Sequence, residues 1–577
     1  FDYQIVNPEP PRRVPNAIRS FWVIDGPTGA HRQITARLRV QTEHVAMWME
    51  EDVWHDVQAL AEAAHYFETR IYSTTRTAFG SEWTPGVDND PRIHVLHATG
   101  LGEDVLGYTS STDEFPRAIN PYSNQTELIV VHATDRLPIA SPPYYALLAR
   151  QFQRLIQWFQ DRNEARWVKE GLAELAVRRN GFDLDQAVLT YLAHPDTSLT
   201  AWAWEEGETA QDLAAHRGAA SLFTIYFHER WGDEGTRRLT SQPLDGPAGF
   251  DAVLADLGTD LTFEDLFADW LVANYLDAPP TQPGETDNSW YSYTTLNLDA
   301  PAPAAIYEHY PVTLESSVQP FGADYILLRG TDDLHIQFTG VTTTLPLSIT
   351  SPSGRACWWS NRADESLTTL VRKFDLSGVA HNEPVTMTYW TWYDIELNYD
   401  YATVEISADE GRHWQALLPP PDQSYTGRSG GDSSIWIQEI IDLSPYAGSE
   451  VWIRFSYLTD GAITGVGFLL DDISIPRIGY ADDVKAREAE DNGWQPAGFV
   501  RRGFPVEQRY LAILLLTGAD HSFQVERLIV GEDGAAEWAV PLGSEEWSEA
   551  VILLSGVTRS ATQPAHYRLA ISTAVPN

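Results

Sequence analysis

Apolar residues recur with two different periods along this chain, and the change from one to the other divides it. In the first half Val53, Val57, Leu60, Ala64 and Phe67 fall at helical spacing, and Gly80 follows that segment. Strand-like runs occupy 92–97 and 127–131. Helices are predicted over about 144–160, 165–179 and 210–231. A last helix opens on Thr262-Phe263-Glu264-Asp265, which has the form of a capping box, and runs to about Tyr275. Strands first and helices after them predict an α+β unit.

A proline-rich stretch over 277–283 and on to Pro303 breaks this half from the rest and reads as a linker. Beyond it the period drops to 2. Val385, Met387, Tyr389 and Thr391 alternate with Thr386, Thr388, Trp390 and Trp392, and Val451, Ile453, Phe455 and Tyr457 repeat the pattern. Short alternating strands with Gly, Asp and Pro turns predict β-sandwiches. Segments 310–349 and 493–572 both read as short strands and flank a β-rich stretch at about 351–476. The flanking pieces are therefore expected to form one discontinuous sandwich, with 550–555 and 567–572 among its final strands.

Composition narrows the function. At 577 residues the chain is too long for one core, and 21 Trp, 25 Tyr and 21 Phe supply ample core material, so disorder is not expected for most of it. The formal charge of −42 argues against nucleic-acid binding, because phosphate would be repelled. It suits a soluble extracellular protein, and plain solubility explains it as well as a partnership with divalent cations does. The longest apolar run, about 510–516, is far too short to span a bilayer. The single cysteine, Cys357, excludes an internal disulfide and a thiolate zinc cluster, and its Cys-Trp-Trp setting reads as a small buried residue. The chain starts at Phe1, so an export signal is expected to have been removed, or the numbering to begin after it.

The most informative segment is Arg150-Gln151-Phe152-Gln153-Arg154-Leu155-Ile156-Gln157-Trp158, followed by Trp167-Val168-Lys169-Glu170-Gly171-Leu172-Ala173-Glu174-Leu175. It resembles the gluzincin metallopeptidases, and within them the secreted enzymes related to immune inhibitor A. In that family the first helix carries His-Glu-x-x-His and the second Trp-x-Asn-Glu-Gly, whose Glu is the third zinc ligand. Two His at i and i+4 share one helical face and one ion, and the Glu beside the first serves as general base for the zinc-bound water. Here Arg150 and Arg154 stand at the two His positions and Gln151 at the base; only Glu170 is retained. An amide takes up no proton and a guanidinium ligates no metal. The resemblance therefore implies a site with no zinc. No other His-Glu-x-x-His occurs; His228-Glu229 is followed by Gly232 where a second His is needed. His94 and His97, three apart in an expected strand, point to opposite faces. Ion pairs from Arg150, Arg154 or both to Glu170 are expected to tie the two helices; the alternative is that the arginines point into a solvated former cleft.

The resemblance extends along the chain. Phe79–Ile93, Ser110–Asp113 and Asn120–Asn124 look like the family's segments around its sheet, and Phe263–Leu276 resembles the closing helix of the peptidase fold. His216-Arg217-Gly218-Ala219 sits where His-Tyr-Gly is expected in active relatives, which implies that an oxyanion-stabilising Tyr is absent. Trp392-Tyr393-Asp394-Ile395-Glu396, Tyr399-Asp400-Tyr401 and Gly467–Ile473 are similar to the family's jelly-roll, MAM-like domain. The expected fold is multidomain: a gluzincin-like α+β pseudopeptidase domain, then all-β sandwich and jelly-roll domains. The boundaries are an N-terminal extension over 1–30, the pseudopeptidase domain over 31–278, a linker over 279–303, a discontinuous sandwich over 304–349 plus 478–577, and an inserted jelly-roll over 350–477.

Two further readings come from the β half. Asp394, Glu396, Asp471 and Asp472 offer hard oxygen ligands for Ca²⁺, or else are turn and strand-end carboxylates. Trp390, Trp392 and Tyr393 suggest a sugar platform, with sandwich core packing the stronger expectation. The function expected is that of an inactive metallopeptidase homologue, structural or binding, at the cell surface or in an extracellular assembly. Its partner would be a protein, a second copy of itself or a polysaccharide. The competing reading is an extracellular hydrolase with residual or unconventional activity, although no Ser-His-Asp arrangement, nucleophile elbow or P-loop is found.

Overall fold

Six consecutive buried residues, Ile93 to Ala98, form a central strand of the N-terminal sheet. Burial on both faces accounts for its four apolar residues, and its two histidines, His94 and His97, are each hydrogen-bonded. The computed structural model describes all residues except 1–4, 12–13, 27, 118–119, 183–184, 203–208, 279–288, 348, 355, 419–422, 432, 462–463, 485–491, 504, 521, 545, 560 and 575–577. The sheet comprises β1 (Ile18–Ile24), β2 (His31–Gln41), β3 (Val45–Glu50), β4 (Ile93–Ala98), β5 (Gly107–Thr109) and β6 (Leu128–His132), in the order β1-β2-β3-β4-β6-β5. β3, β4 and β6 are parallel, while β1, β2 and the edge strand β5 are antiparallel to their neighbours. The segment read as an N-terminal extension thus contributes an edge strand, and its hydrogen bonds to β2 make it part of the sheet. His94 and His97 do lie on opposite faces of β4: His94 accepts from Trp48 Nε1, and His97 meets the Tyr144 hydroxyl.

The helices are α1 (Val57–Tyr66), α2 (Tyr72–Phe79), α3 (Pro142–Gln160), α4 (Arg166–Arg179), α5 (Asp185–Ala193), α6 (Ala210–Thr240), α7 (Gly246–Asp256) and α8 (Phe263–Leu276). Asp56 caps α1 by accepting from the backbone N–H groups of Gln58 and Ala59, so Val53 lies before the helix and Val57 is exposed. The apolar spacing located that helix but misplaced its start. Gly232, at φ 60° and ψ −158°, is not helical and divides α6 into two helical segments, so the first ends near 231 as expected and a second carries on to Thr240. The capping box of Thr262 and Asp265 opens α8 as expected.

In the second half, a four-stranded sheet of Ala535–Val540, Leu334–Gly340, Ala565–Thr573 and Val312–Val318 faces a five-stranded one. The latter comprises Phe523–Leu528, Tyr510–Thr517, Glu549–Gly556, Asp324–Leu328 and Ala305–Tyr307. Alternate residues of its central strands go to different cores. Ile326, Leu514 and Ile552 pack toward the four-stranded sheet, whereas Tyr325, Ile513 and Val551 pack with the helices. The long apolar run near 510–516 is the mark of this strand, buried on both faces.

Between these pieces lies a second sandwich. One sheet holds Ile437–Asp442, Thr386–Asp394, Gly467–Ile475, Ala356–Trp359 and Val500–Gly503; the other holds Tyr401–Ser407, Glu450–Leu458, Leu367–Asp375 and Gln495–Ala497. Strands after residue 477 thus pair within it, so it extends to about 503 rather than ending at the expected 477. Residues 279–288 of the segment read as a linker lie outside the described residues. No described helix is long and apolar enough to cross a membrane.

Candidate functional site

α3 and α4 are joined by a short loop and meet along two rungs. Arg150 Nη2 lies 2.7 and 2.8 Å from the carboxylate oxygens of Glu174, and Arg154 donates to Glu170 Oε1. The spacing is i, i+4 on both helices, and the earlier residue of one meets the later of the other, as antiparallel packing requires. Of the two arginines expected to reach Glu170, Arg154 does so, while Arg150 meets Glu174, one turn away. Arg217 on α6 adds a third guanidinium, its Nε 3.5 Å from Glu170 Oε2. That arginine stands where the resemblance implied a Tyr. Gln151 is buried and accepts a 3.3 Å hydrogen bond from Thr109 on the edge strand β5.

The two rungs differ electrostatically. Burial alone would raise the Glu170 carboxyl, but Arg154, Arg217, Arg166 and Arg150 outweigh it and hold it at about 2. At Glu174 burial prevails over Arg150 and the carboxyl is raised. The ion pair at Glu170 is thus stabilising on balance, while that at Glu174 mainly offsets the cost of burying the carboxylate.

Over these rungs lies a loop from the second sandwich. Lys169 Nζ donates to the carbonyls of Asp364 (2.6 Å) and Glu365 (3.0 Å), and Arg166 Nε lies 3.4 Å from Asp364 Oδ2. Leu367 N–H donates to Arg162 O, and the Leu367 side chain packs with Phe115 and Trp158. What remains between Arg154, Trp158, Lys169, Glu170, Asp364 and Glu365 is a cavity of about 30 Å³, room for a water or two and for no peptide segment. Glu174 could have been found in the sequence, since its offset from Glu170 mirrors that of Arg154 from Arg150. Asp364 and Glu365 come from some 200 residues downstream and carried no local signal.

The four carboxylates considered for Ca²⁺ do not converge. Asp394 pairs with Arg428 at 3.0 Å, while Asp471 accepts from the backbone N–H groups of Ser353 and Asp472. Along the paired strands Asp394 lies opposite Gly467, four residues from Asp471. Glu396 instead joins Asp400 and Asp460, with one oxygen from each all within 4.8 Å. Burial, then Asp460, raises Glu396 to about 7, and burial raises Asp400 to about 8 despite hydrogen bonds from Tyr457 and the Asp460 N–H. Three close carboxylates fit the all-oxygen preference of Ca²⁺. Asp88, Asp90 and His94 also cluster, but the indole N–H of Trp48 occupies His94 Nδ1. The neutral ring then carries its proton on Nε2, which points at Asp90 Oδ2 3.7 Å away and is not a ligand atom.

Other expected features resolve as structure. Trp392 is 7% exposed and packs with Leu347, Cys357, Trp359 and Leu469, so its ring is no open platform. Burial raises the Cys357 thiol well above its usual range. Glu229 accepts from the backbone of Thr294 and Thr295, and His228 bonds Thr236.

Residues 333–504 match the family model of the immune inhibitor A-like MAM domain. The pre-pro-metalloprotease PrtV of Vibrio cholerae serotype O1 is 29% identical over 140 residues, 23% of this chain and 15% of that protein. Immune inhibitor A of Bacillus thuringiensis subsp. alesti is 27% identical over 137 residues, 23% and 19% of the two chains. Bacillopeptidase F of Bacillus subtilis is 26% identical over 87 residues, 15% and 5%. The match thus spans less than a fifth of the length of these curated relatives. α3 and α4 lie outside the family-matched segment.

Glu170→Gln is expected to destabilise the fold by about 3 kcal/mol at neutral pH, the equivalent of its depressed pKa. Glu174→Gln should cost under about 1 kcal/mol, because burial already works against that charge. Denaturant unfolding of both variants measures the contrast, and equal losses would contradict it.

The pH profile follows from the same groups. The Glu170 contribution is present above its unfolded value near 4.5 and is lost as pH falls toward about 2. Burial raises Asp113 and Glu365 to about 7, so their contribution is present below about 4 and lost as pH rises through 7. Glu396 and Asp400 act in the same direction. Thermal midpoints are expected to peak near about pH 5 and to decline toward pH 8, as calorimetry across that range would record.

Proposed function

We propose that this chain is a catalytically inactive homologue of secreted zinc metallopeptidases, acting as a structural or binding protein at the cell surface or in an extracellular assembly. On this reading the helical half is a gluzincin-like domain in which arginine–glutamate rungs stand in place of the metal. The observation that carries it is the convergence of Arg154 and Arg217 on Glu170 beneath the Asp364–Glu365 loop. Three guanidiniums with Arg150 make the site hostile to a divalent cation, and Gln151 is no base. The −42 charge and the exclusion of nucleic acid suit an extracellular setting.

Metal analysis of the purified protein is expected to find substoichiometric zinc, and a broad peptidase assay no turnover. Stoichiometric zinc with hydrolysis would overturn the proposal. The combined reversion R150H, Q151E and R154H is expected to restore zinc binding through the two histidines and Glu170. It should still cleave proteins poorly, because the loop above the site remains.

Within the same proposal, Ca²⁺ is held by Glu396, Asp400 and Asp460. A divalent cation would compensate carboxylates that otherwise take up protons. Added Ca²⁺ is therefore expected to raise the thermal midpoint more at about pH 8 than at about pH 5, where protons compete. Asp460→Asn should remove the effect, and a calcium-independent midpoint at both values would sink this assignment.

A further inference from the structure

One sheet of the second sandwich carries two tryptophans on the face turned away from its core. In the strands Tyr401–Ser407, Glu450–Leu458 and Leu367–Asp375, alternate residues such as Val404, Ile453, Phe455 and Leu370 fill the core. The intervening residues look outward. At one end of that outer face Leu367 and Leu458 pack against Phe115 and Trp158 of the helical half. Toward the other end Trp452 stands opposite Ser407 on one neighbouring strand and Lys373 on the other. Trp414 directly precedes the short strand Gln415–Ala416, whose register against Tyr401–Ser407 brings it to Ser407 from the far side. Directly opposed residues point to the same face. Two indoles therefore flank Ser407 in one row, two strand spacings or about 10 Å apart.

Neither ring belongs to the apolar core of the sandwich, and both are partly exposed. The Arg454 guanidinium lies 4.1 Å from the centroid of Trp414, yet Arg454 is only 7% exposed. The indole therefore covers the guanidinium and leaves its other face outward. Lys373, itself exposed, lies 4.9 Å from the centroid of Trp452. Contact with these cations holds the two ring planes in advance of any ligand, which lowers the entropy lost on binding. Arg454 is paired with Glu405 at 2.8 Å and Lys373 with Glu450 at 2.9 Å, so neither sign of charge stands free beside the indoles to select an ion. The surface around the rings is polar, with Ser407, Glu405 and Thr403 on the strand between them. A protein-binding hot spot would set such anchors among apolar residues. Flat rings separated by hydrogen-bonding groups instead suit a pyranose, which has an apolar C–H face and a rim of hydroxyls. The charge of −42 disfavours a polyanionic chain.

We propose that this face binds an extended, uncharged β-linked polysaccharide. Alternate sugar rings stack on Trp414 and Trp452, and hydroxyls between them bond to Glu405 and Lys373. The inference rests on the binding role proposed above and names the chemistry of the partner.

The test uses the full chain and two soluble probes, cellohexaose and the chitin hexasaccharide, followed by titration calorimetry and tryptophan fluorescence. Saturable binding of at least one is expected, with a fluorescence change and with an affinity that added salt leaves unaltered, since no ion pair forms. Trp414→Ala and Trp452→Ala should each weaken binding by roughly tenfold or more, while Trp414→Phe retains part of it. An unchanged thermal midpoint certifies the fold of each variant, and Trp452→Ala carries the test alone if Trp414→Ala unsettles Arg454. Absence of saturable binding of both sugars, loss of affinity with salt, or insensitivity to both alanine substitutions would overturn the proposal. So would equal binding of maltohexaose, whose α-linked chain curls instead of extending along a row. Binding of a proline-rich decapeptide through the two indoles, with neither sugar bound, would assign the face to a protein partner and overturn it as well. A chain that hydrolyses no peptide and ignores both sugars would defeat this inference alone; one that hydrolyses peptides and binds a sugar would defeat only the non-catalytic reading.

Discussion

The carboxylate of Glu170 is the point on which the helical half turns. It is buried, and it remains charged only because guanidiniums from α3 and α6 converge on it. Three helices are thereby fixed to one another by a single anion. Such an arrangement tolerates the loss of no partner, since an uncompensated charge in that position is far more costly than an apolar residue. The neighbouring Glu174 shows the other side of the balance: a similar pair with one arginine fewer leaves burial in control. The number of cations, rather than the presence of a pair, decides the sign.

The second constraint is the loop from the MAM-like sandwich. Lys169 holds it through backbone carbonyls, so its attachment depends on main-chain geometry more than on the identity of residues 364 and 365. The sandwich and the helices are consequently one continuous structure above the two arginine–glutamate rungs.

Much of this was legible along the chain. The capping box at Thr262, the paired i, i+4 residues of α3 and the period-2 strands each encode local structure in local sequence. Which of Arg150 and Arg154 meets Glu170 stayed open along the sequence, because the relative register of the two helices decides it and register is set by packing. The carboxylates read together do not converge for a related reason. Asp394 and Asp471 look close in motif but lie four residues apart along paired strands, whereas Asp460 joins Glu396 across a loop junction. Val57 followed the helical period yet sits exposed in the first turn, since a cap residue and not the apolar stripe sets where a helix begins.

The five-stranded sheet, finally, bears on the order in which the protein can assemble. Its strand Glu549–Gly556 lies between Tyr510–Thr517 and Asp324–Leu328, and one face of all three covers the helical core. The helices emerge from the ribosome hundreds of residues before that cover exists. Until then the face of α8 that meets Tyr325 has nothing to bury it. Closing such long-range contacts is slow, and the uncovered surface is open to association meanwhile. A chain interrupted before residue 549 would lack Val551 and Leu553 from that cover and leave its helical core incomplete.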